Sequence, residues 1–202
     1  MSNFPIAHKF TAQWEGGLSD HPADRGGLTA YGATITFVKD IANTQSGRDF
    51  LHQIGVRLPV TTENMRQITP DQAASMFKYK FWSPFWSPLG LDAIPLRPAI
   101  CLYDMAVNSG PSPSARTAQR GYNRCILHGV KLAEDGILGP LTRKALSQDT
   151  DVIINAMLDM RVAFVETIVR NDESQRVFLQ GWLNRINGLR SYVTVSYTHL
   201  RA

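Results

Sequence analysis

Ile6, Phe10 and Trp14 recur at every fourth position, with Ala7 between them. This apolar stripe predicts a first helix over residues 5–15 that ends near Gly16-Gly17. The period is then lost. Gly26-Gly27, Gly32, Pro22 and several Asp residues predict a loop or a small irregular hairpin over 16–33. Ile35, Val38 and Ile41 mark a short helix, and Phe50, Leu51 and Ile54 another, within a stretch (43–68) that is otherwise weakly patterned. Thr69-Pro70-Asp71-Gln72 is a sharper signal: a threonine N-cap, a proline where no N–H is needed, and a glutamine able to close a capping box. The helix that follows is expected to run through Ala73, Met76, Phe77 and Lys80. Pro84, Pro88 and Pro95 interrupt the pattern and leave an aromatic connection with Phe81, Trp82, Phe85 and Trp86.

Beyond it, Pro98 is expected to open a helix through Leu102 and Met105 to Val107, stopped by Asn108-Ser109-Gly110-Pro111. Another begins near Ser112 or Ser114 and includes Ala118 and Tyr122. Arg116, Arg120 and Arg124 form a basic stripe on it, which serves as a solvated face or attracts a polyanion. Asp135-Gly136-Ile137-Leu138-Gly139-Pro140 reads as a turn into a short helix through Leu141 and Ala145. A long amphipathic helix over 151–170 is expected to bury Val152, Ala156, Met160, Phe164 and Ile168, with Met157 and Met160 as core filler. The last helix, about 175–192, carries Phe178, Trp182, Ile186 and Leu189 on one stripe. Strand alternation and glycine-rich phosphate fingerprints are both missing, so the expected class is mainly α with one irregular or hairpin insertion after the first helix.

Composition narrows the reading further. Of 202 residues, 44% are hydrophobic and 19% charged, which suits a packed globular chain. The formal charge of +4 fits a polyanionic partner such as a wall polymer, nucleic acid or membrane surface, without choosing among them. The N-terminus has neither the basic nor the apolar region of a signal peptide, and no apolar run is long enough to span a membrane. Cys101 and Cys125, the only cysteines, are compatible with two thiols or one disulfide and lack zinc-ligand spacing.

The densest candidate for chemistry is the segment from Trp14 to Gly32. Glu15 closes a helix, and Asp20, His21 and Asp24 share a constrained loop with several glycines. Trp14 and Tyr31 offer flat apolar faces for sugar rings. Two carboxyl groups near such faces suit glycoside hydrolysis, in which one protonates the leaving oxygen and the other stabilises positive charge or positions water. Partial desolvation of Glu15 after an apolar helix would favour an uncharged acid, and a polar loop would let Asp24 stay ionised; the sequence alone establishes neither environment. Glu15 also lies at the electrostatically unfavourable end of a helix, so an arginine such as Arg25 or Arg185 is expected to compensate it. Asp104 and Asn108, one helical turn apart, either face a cleft or serve packing and capping. Asp20, His21 and Asp24 do not form a recognised metal motif, and neither a metal nor a cofactor is expected.

Glu15-Gly16-Gly17 followed by Asp24-Arg25-Gly26-Gly27-Leu28-Thr29-Ala30-Tyr31-Gly32 resembles glycoside hydrolase family 108, muramidases of phages and bacteria with a lysozyme-like helical domain. Tyr103 to Gly110, Asp135 to Thr142 and Gly181-Trp182-Leu183-Asn184-Arg185 look like later landmarks of the family. The second half resembles its companion peptidoglycan-binding region. Arg25, His21 and Ala30 depart from the family pattern, which has proline, aspartate and asparagine there.

The resemblance implies a catalytic part over 1–95, a helical companion over 96–192 packed with it as one globule, and a tail over 193–202 that adds little. It implies cleavage of the β-1,4 bond between N-acetylmuramic acid and N-acetylglucosamine. Glu15 would be the acid, with Asp24 and Thr29 as its catalytic partners. Trp14, Asp20, Tyr31, Asp104 and Asn108 would line the substrate site. A lytic transglycosylase and a noncatalytic wall-binding protein are the alternatives. The implied partner is the peptidoglycan glycan strand, met by a monomer and without nucleic acid. Action on the periplasmic or extracellular wall after cytoplasmic synthesis would require a holin or a dedicated export system.

Overall fold

The computed structural model describes residues 2–16, 28–83 and 90–199, with side chains described as far as residue 194. The helices are α1 (Phe4–Glu15), α2 (Ile35–Ala42), α3 (Gln45–Gln53), α4 (Thr62–Met65), α5 (Pro70–Phe81), α6 (Leu96–Ser109), α7 (Pro111–Cys125), α8 (Pro140–Leu146), α9 (Asp151–Asn171) and α10 (Arg176–His199). Two short strands, β1 (Thr29–Ala30) and β2 (Ala33–Thr34), pair antiparallel between α1 and α2. The fold is therefore predominantly helical with one small hairpin, as the sequence pattern and the family resemblance both imply. Among the described residues no helix is long and apolar enough to cross a membrane.

Threonine starts many of these helices. Thr34, Thr44, Thr61, Thr69 and Thr150 each accept a backbone N–H from the first turn and so satisfy a donor the helix cannot. At Thr69 the expected capping box is complete: the Thr69 hydroxyl accepts from the Gln72 N–H at 3.3 Å, and the Gln72 side-chain oxygen accepts from the Thr69 N–H at 2.9 Å.

Helix α6 is the axis of the molecule. Every residue from Arg97 to Ala106 is buried, which a helix achieves only when neighbours surround it. Those neighbours are α1, α5, α7, α9 and α10. It begins at Leu96, two residues before Pro98, since Pro98 falls where the N–H lacks a partner within the helix anyway. Helices α7 and α9 approach so closely that a Cβ on Gly121 would lie 2.8 Å from the backbone of Met157.

In several places the burial departs from the apolar stripes. On α1 the buried set is Phe4, Ala7, Phe10 and Thr11, and Trp14 is 41% exposed. On α9 the buried set is Ile153, Ile154, Met157, Leu158, Arg161, Val165 and Val169, while Val152 faces solvent. In both helices a polar residue, Thr11 or Arg161, occupies the inward face because a carboxylate on α6 awaits it. On α10, Ile186, Leu189 and Val193 are buried as part of the core, whereas Phe178 is 54% exposed. The helix also continues to His199, past the limit near residue 192 that the apolar stripe suggests.

The basic stripe on α7 is largely consumed inside the protein. Arg116 donates to the carbonyls of Glu134 and Asp135, Arg120 pairs with the Glu134 carboxylate at 2.9 Å, and Arg124 donates to the Met160 sulfur at 3.3 Å. These contacts pin the 132–137 connection to α7 and argue against a polyanion site there. Cys101 and Cys125 are both free thiols, and burial pushes Cys101 up to about 12.

Candidate active site

Glu15 is the last residue of α1, and Gly16 leaves the helix with φ +74°. The hairpin closes on this helix end. Tyr31 and Gly32 form its two-residue turn with φ of 51° and 83°, the pair of positive values that a tight type I′ turn demands. A Cβ on Gly32 would lie 2.5 Å from the Cβ of Glu15 and 3.3 Å from the Phe77 ring. Glycine at position 32 therefore satisfies two constraints at once, the left-handed backbone and the close approach of the hairpin to Glu15. Gly32→Ala is expected to cost about 1–3 kcal/mol of stability and to displace Glu15 or the turn. A thermal melt and a peptidoglycan-digestion rate on the same sample check both effects.

The Glu15 side chain is 21% exposed. Its Oε1 accepts from Nη2 of Arg185 on α10 at 2.8 Å, and among the described residues nothing donates to Oε2. The last turn of α1 contains no basic residue, so the compensation a carboxylate needs at a helix C-terminus comes from across the fold. Arg185 was one of the two arginines expected in that role. Arg25, the other, lies outside the described residues, as do Asp20, His21 and Asp24.

Behind Glu15 lies a buried ionic centre. Asp104 on α6 has no exposed surface, and both its oxygens are held. Oδ1 accepts from the Thr11 hydroxyl at 2.9 Å and from Arg185 Nη2 at 2.8 Å; Oδ2 accepts from Arg161 Nη1 at 2.7 Å and from Arg185 Nε at 3.1 Å. Burial alone would push the Asp104 carboxyl up, yet the two guanidiniums outweigh it and hold it below its ordinary value. Burial likewise works against Arg185, and Asp104 and Glu15 together hold it above its ordinary value. Next to Asp104 on α6, the Tyr103 hydroxyl meets His8 Nδ1 at 2.8 Å, and burial keeps Tyr103 and His8 in their neutral forms at neutral pH.

The residues expected to line a substrate site thus divide. Glu15 ends α1 against Gly32 of the hairpin, which also carries Thr29 on β1 and Tyr31, 37% exposed, in its turn. Trp14 stands on the adjoining face of α1, beside a groove of about 540 Å³ lined by Phe10, Gln13, Trp14, Gly188, Ser191 and Tyr192. Asn108 is exposed at the end of α6. Asp104 is the correction. It has no surface to offer a ligand and organises charge beneath the site, because two arginines and a threonine take all of its accepting capacity. Sequence reasoning missed Arg161 and Thr11; each is a polar residue at helical spacing on an inward apolar face, which is the signal a buried carboxylate leaves.

Chemically, the arrangement presents one carboxyl group with an oxygen anchored by Arg185 and, among the described residues, no donor at the other, with the exposed Trp14 and Tyr31 rings nearby in sequence. The sequence model described as "Glycosyl hydrolase 108" matches residues 8–110, about half of the chain, and the model described as "Predicted Peptidoglycan domain" matches residues 118–187. No curated protein matches the chain. Among solved structures, "Structure of Brucella abortus SagA" superimposes with a TM-score of 0.70 at 23% sequence identity, covering 95% of this chain and 94% of that one. At that identity the likeness is one of fold.

Proposed function

From a chain that belongs to the glycosyl hydrolase 108 family, and is thereby a peptidoglycan-active hydrolase of the lysozyme superfamily, we propose a muramidase with Glu15 as its general acid. The bond cleaved is the β-1,4 link between N-acetylmuramic acid and N-acetylglucosamine. Glu15 protonates the bridging oxygen through Oε2 as the bond breaks. The observation that carries this reading is the partly exposed Glu15 carboxyl, held by Arg185 through one oxygen and, among the described residues, without a donor at the other.

Asp24, with Asp20 as its substitute, stabilises the positive charge that develops on the sugar or orients the attacking water. Thr29, on β1 of the hairpin whose turn meets Glu15, positions that water. Tyr31 and Trp14 supply ring surface to the sugars, and Asn108 extends the polar lining. Asp104 acts from below, through Arg185. Delivery of the enzyme to the wall is the work of a holin or an export system, and the enzyme acts there as a monomer.

Mass analysis of products from purified peptidoglycan tests the reaction. Hydrolysis yields muropeptides with a reducible muramic acid end. A lytic transglycosylase yields anhydro products lighter by one water and resistant to borohydride, and that result would replace the proposal. Co-sedimentation with peptidoglycan and no released fragments would reduce the protein to a wall binder.

A further inference from the structure

The segment matched by the peptidoglycan model, residues 118–187, contributes Arg185, whose guanidinium reaches the side chain of Glu15 in the segment matched by the hydrolase model. We propose that Arg185 is a positioning residue for the catalytic acid, so that the C-terminal segment builds part of the active centre as well as meeting the wall polymer. The inference rests on Glu15 being the acid.

A count of charges supports a functional role over a merely structural one. Asp104 and Arg161, 2.7 Å apart and both buried, are already a neutral pair. Arg185 adds a second buried cation to the same carboxylate, and Glu15 is the group that balances it. While Glu15 carries its proton, the four-residue centre holds one positive charge in excess. The O–H bond of Glu15 then breaks, its proton passes to the glycosidic oxygen, and the electron pair left on Glu15 restores neutrality. Arg185 is in place before the reaction to receive the charge that proton transfer creates, so no reorganisation is needed at that moment.

The geometry fixes its aim. Nε and Nη2 both engage Asp104, which prevents rotation of the planar fork, and Nη2 is shared with Glu15. Asp104 is itself locked by Thr11 from α1 and by Arg161 from α9. Among the described residues, the other titratable groups around this contact are Tyr103 and Asp104 on α6, with His8 bonded to Tyr103. Tyr103 and His8 are neutral at neutral pH, which leaves Arg185 as the cation in contact with the acid.

The test compares Arg185→Gln, Arg185→Lys and Arg161→Gln in the full chain, following thermal unfolding, co-sedimentation with peptidoglycan, and kcat and KM. Arg161 touches Asp104 without touching Glu15, so it reports the structural share. Arg185→Gln is expected to lower kcat about ten- to a hundred-fold and to leave KM and sedimentation near wild type. Arg161→Gln should lower the melting temperature with a smaller loss in kcat than Arg185→Gln. Arg185→Lys, with one ammonium that cannot span both carboxylates as the fork does, should lose about ten-fold in kcat. A folded Arg185→Gln with wild-type kcat would overturn the proposal. If that variant does not fold, wild-type kcat in Arg185→Lys overturns it instead. Wild-type turnover in Glu15→Gln would remove the acid and this proposal with it, whereas an inactive Glu15→Gln beside fully active Arg185 variants would remove this proposal alone.

Discussion

Glu15→Gln is expected to lose about 10²–10⁴-fold in kcat on purified peptidoglycan while remaining folded and bound to it, the scale on which a positioned general acid contributes. The substitution is nearly isosteric. The amide oxygen can still accept from Arg185 Nη2, now at 2.8 Å from Oε1, so the helix end and the hairpin keep their relation. What vanishes is a group that can release a proton and then carry negative charge. KM is therefore expected to change little, because the loss falls on the transition state alone. Turnover within a few-fold of wild type would remove Glu15 from the mechanism. Loss of binding along with turnover would instead indicate that the carboxyl holds substrate.

Much of this site could be read before the fold was known, for local reasons. Gly16 after an apolar helix, the glycines around Tyr31 and the acid at the helix end are properties of adjacent residues, and adjacent residues are what a sequence displays. The need for a compensating arginine also followed from the helix end, and Arg185 was within the small set expected. Asp104 was misplaced for the opposite reason. Its partners sit at positions 11, 161 and 185, on three different helices, and a contact of that range leaves no local trace.

The same centre distorted the reading of the helices around it. On α9 the true inward face includes Arg161, so an apolar count favoured the neighbouring stripe through Val152, which is 65% exposed. On α1 the buried Thr11 had a similar effect, while Trp14, which continues the apolar stripe and was also read as a face for sugar rings, is 41% exposed. A buried ion pair converts charged residues into core residues, and hydrophobic periodicity then misses the phase by about one position. Where caps set the boundaries, as at Thr69 and Gln72, the reading did not depend on phase and the structure agrees with it.

Asp104→Asn is expected to be the most destabilising single change near the site, costing about 3–5 kcal/mol at neutral pH. Two buried guanidiniums would face an amide that cannot balance them, and its NH₂ group would point at donors. In a chain of this length such a loss corresponds to a fall in melting temperature of roughly 10 °C. The pH dependence gives the prediction its sign. Arg161 and Arg185 hold the folded Asp104 carboxyl below its ordinary value despite burial. The unfolded chain therefore takes up its proton first, and the stabilisation is complete above the unfolded value, near pH 4. As pH falls below that point through the folded value, the contribution drains away. Wild type and Asp104→Asn should accordingly differ fully at pH 7 and draw together below about pH 4, when each is unfolded by urea across that range. Curves that stay parallel into acid would mean that the carboxylate does not hold this centre together. In that case Arg185 would need another anchor to keep its aim on Glu15.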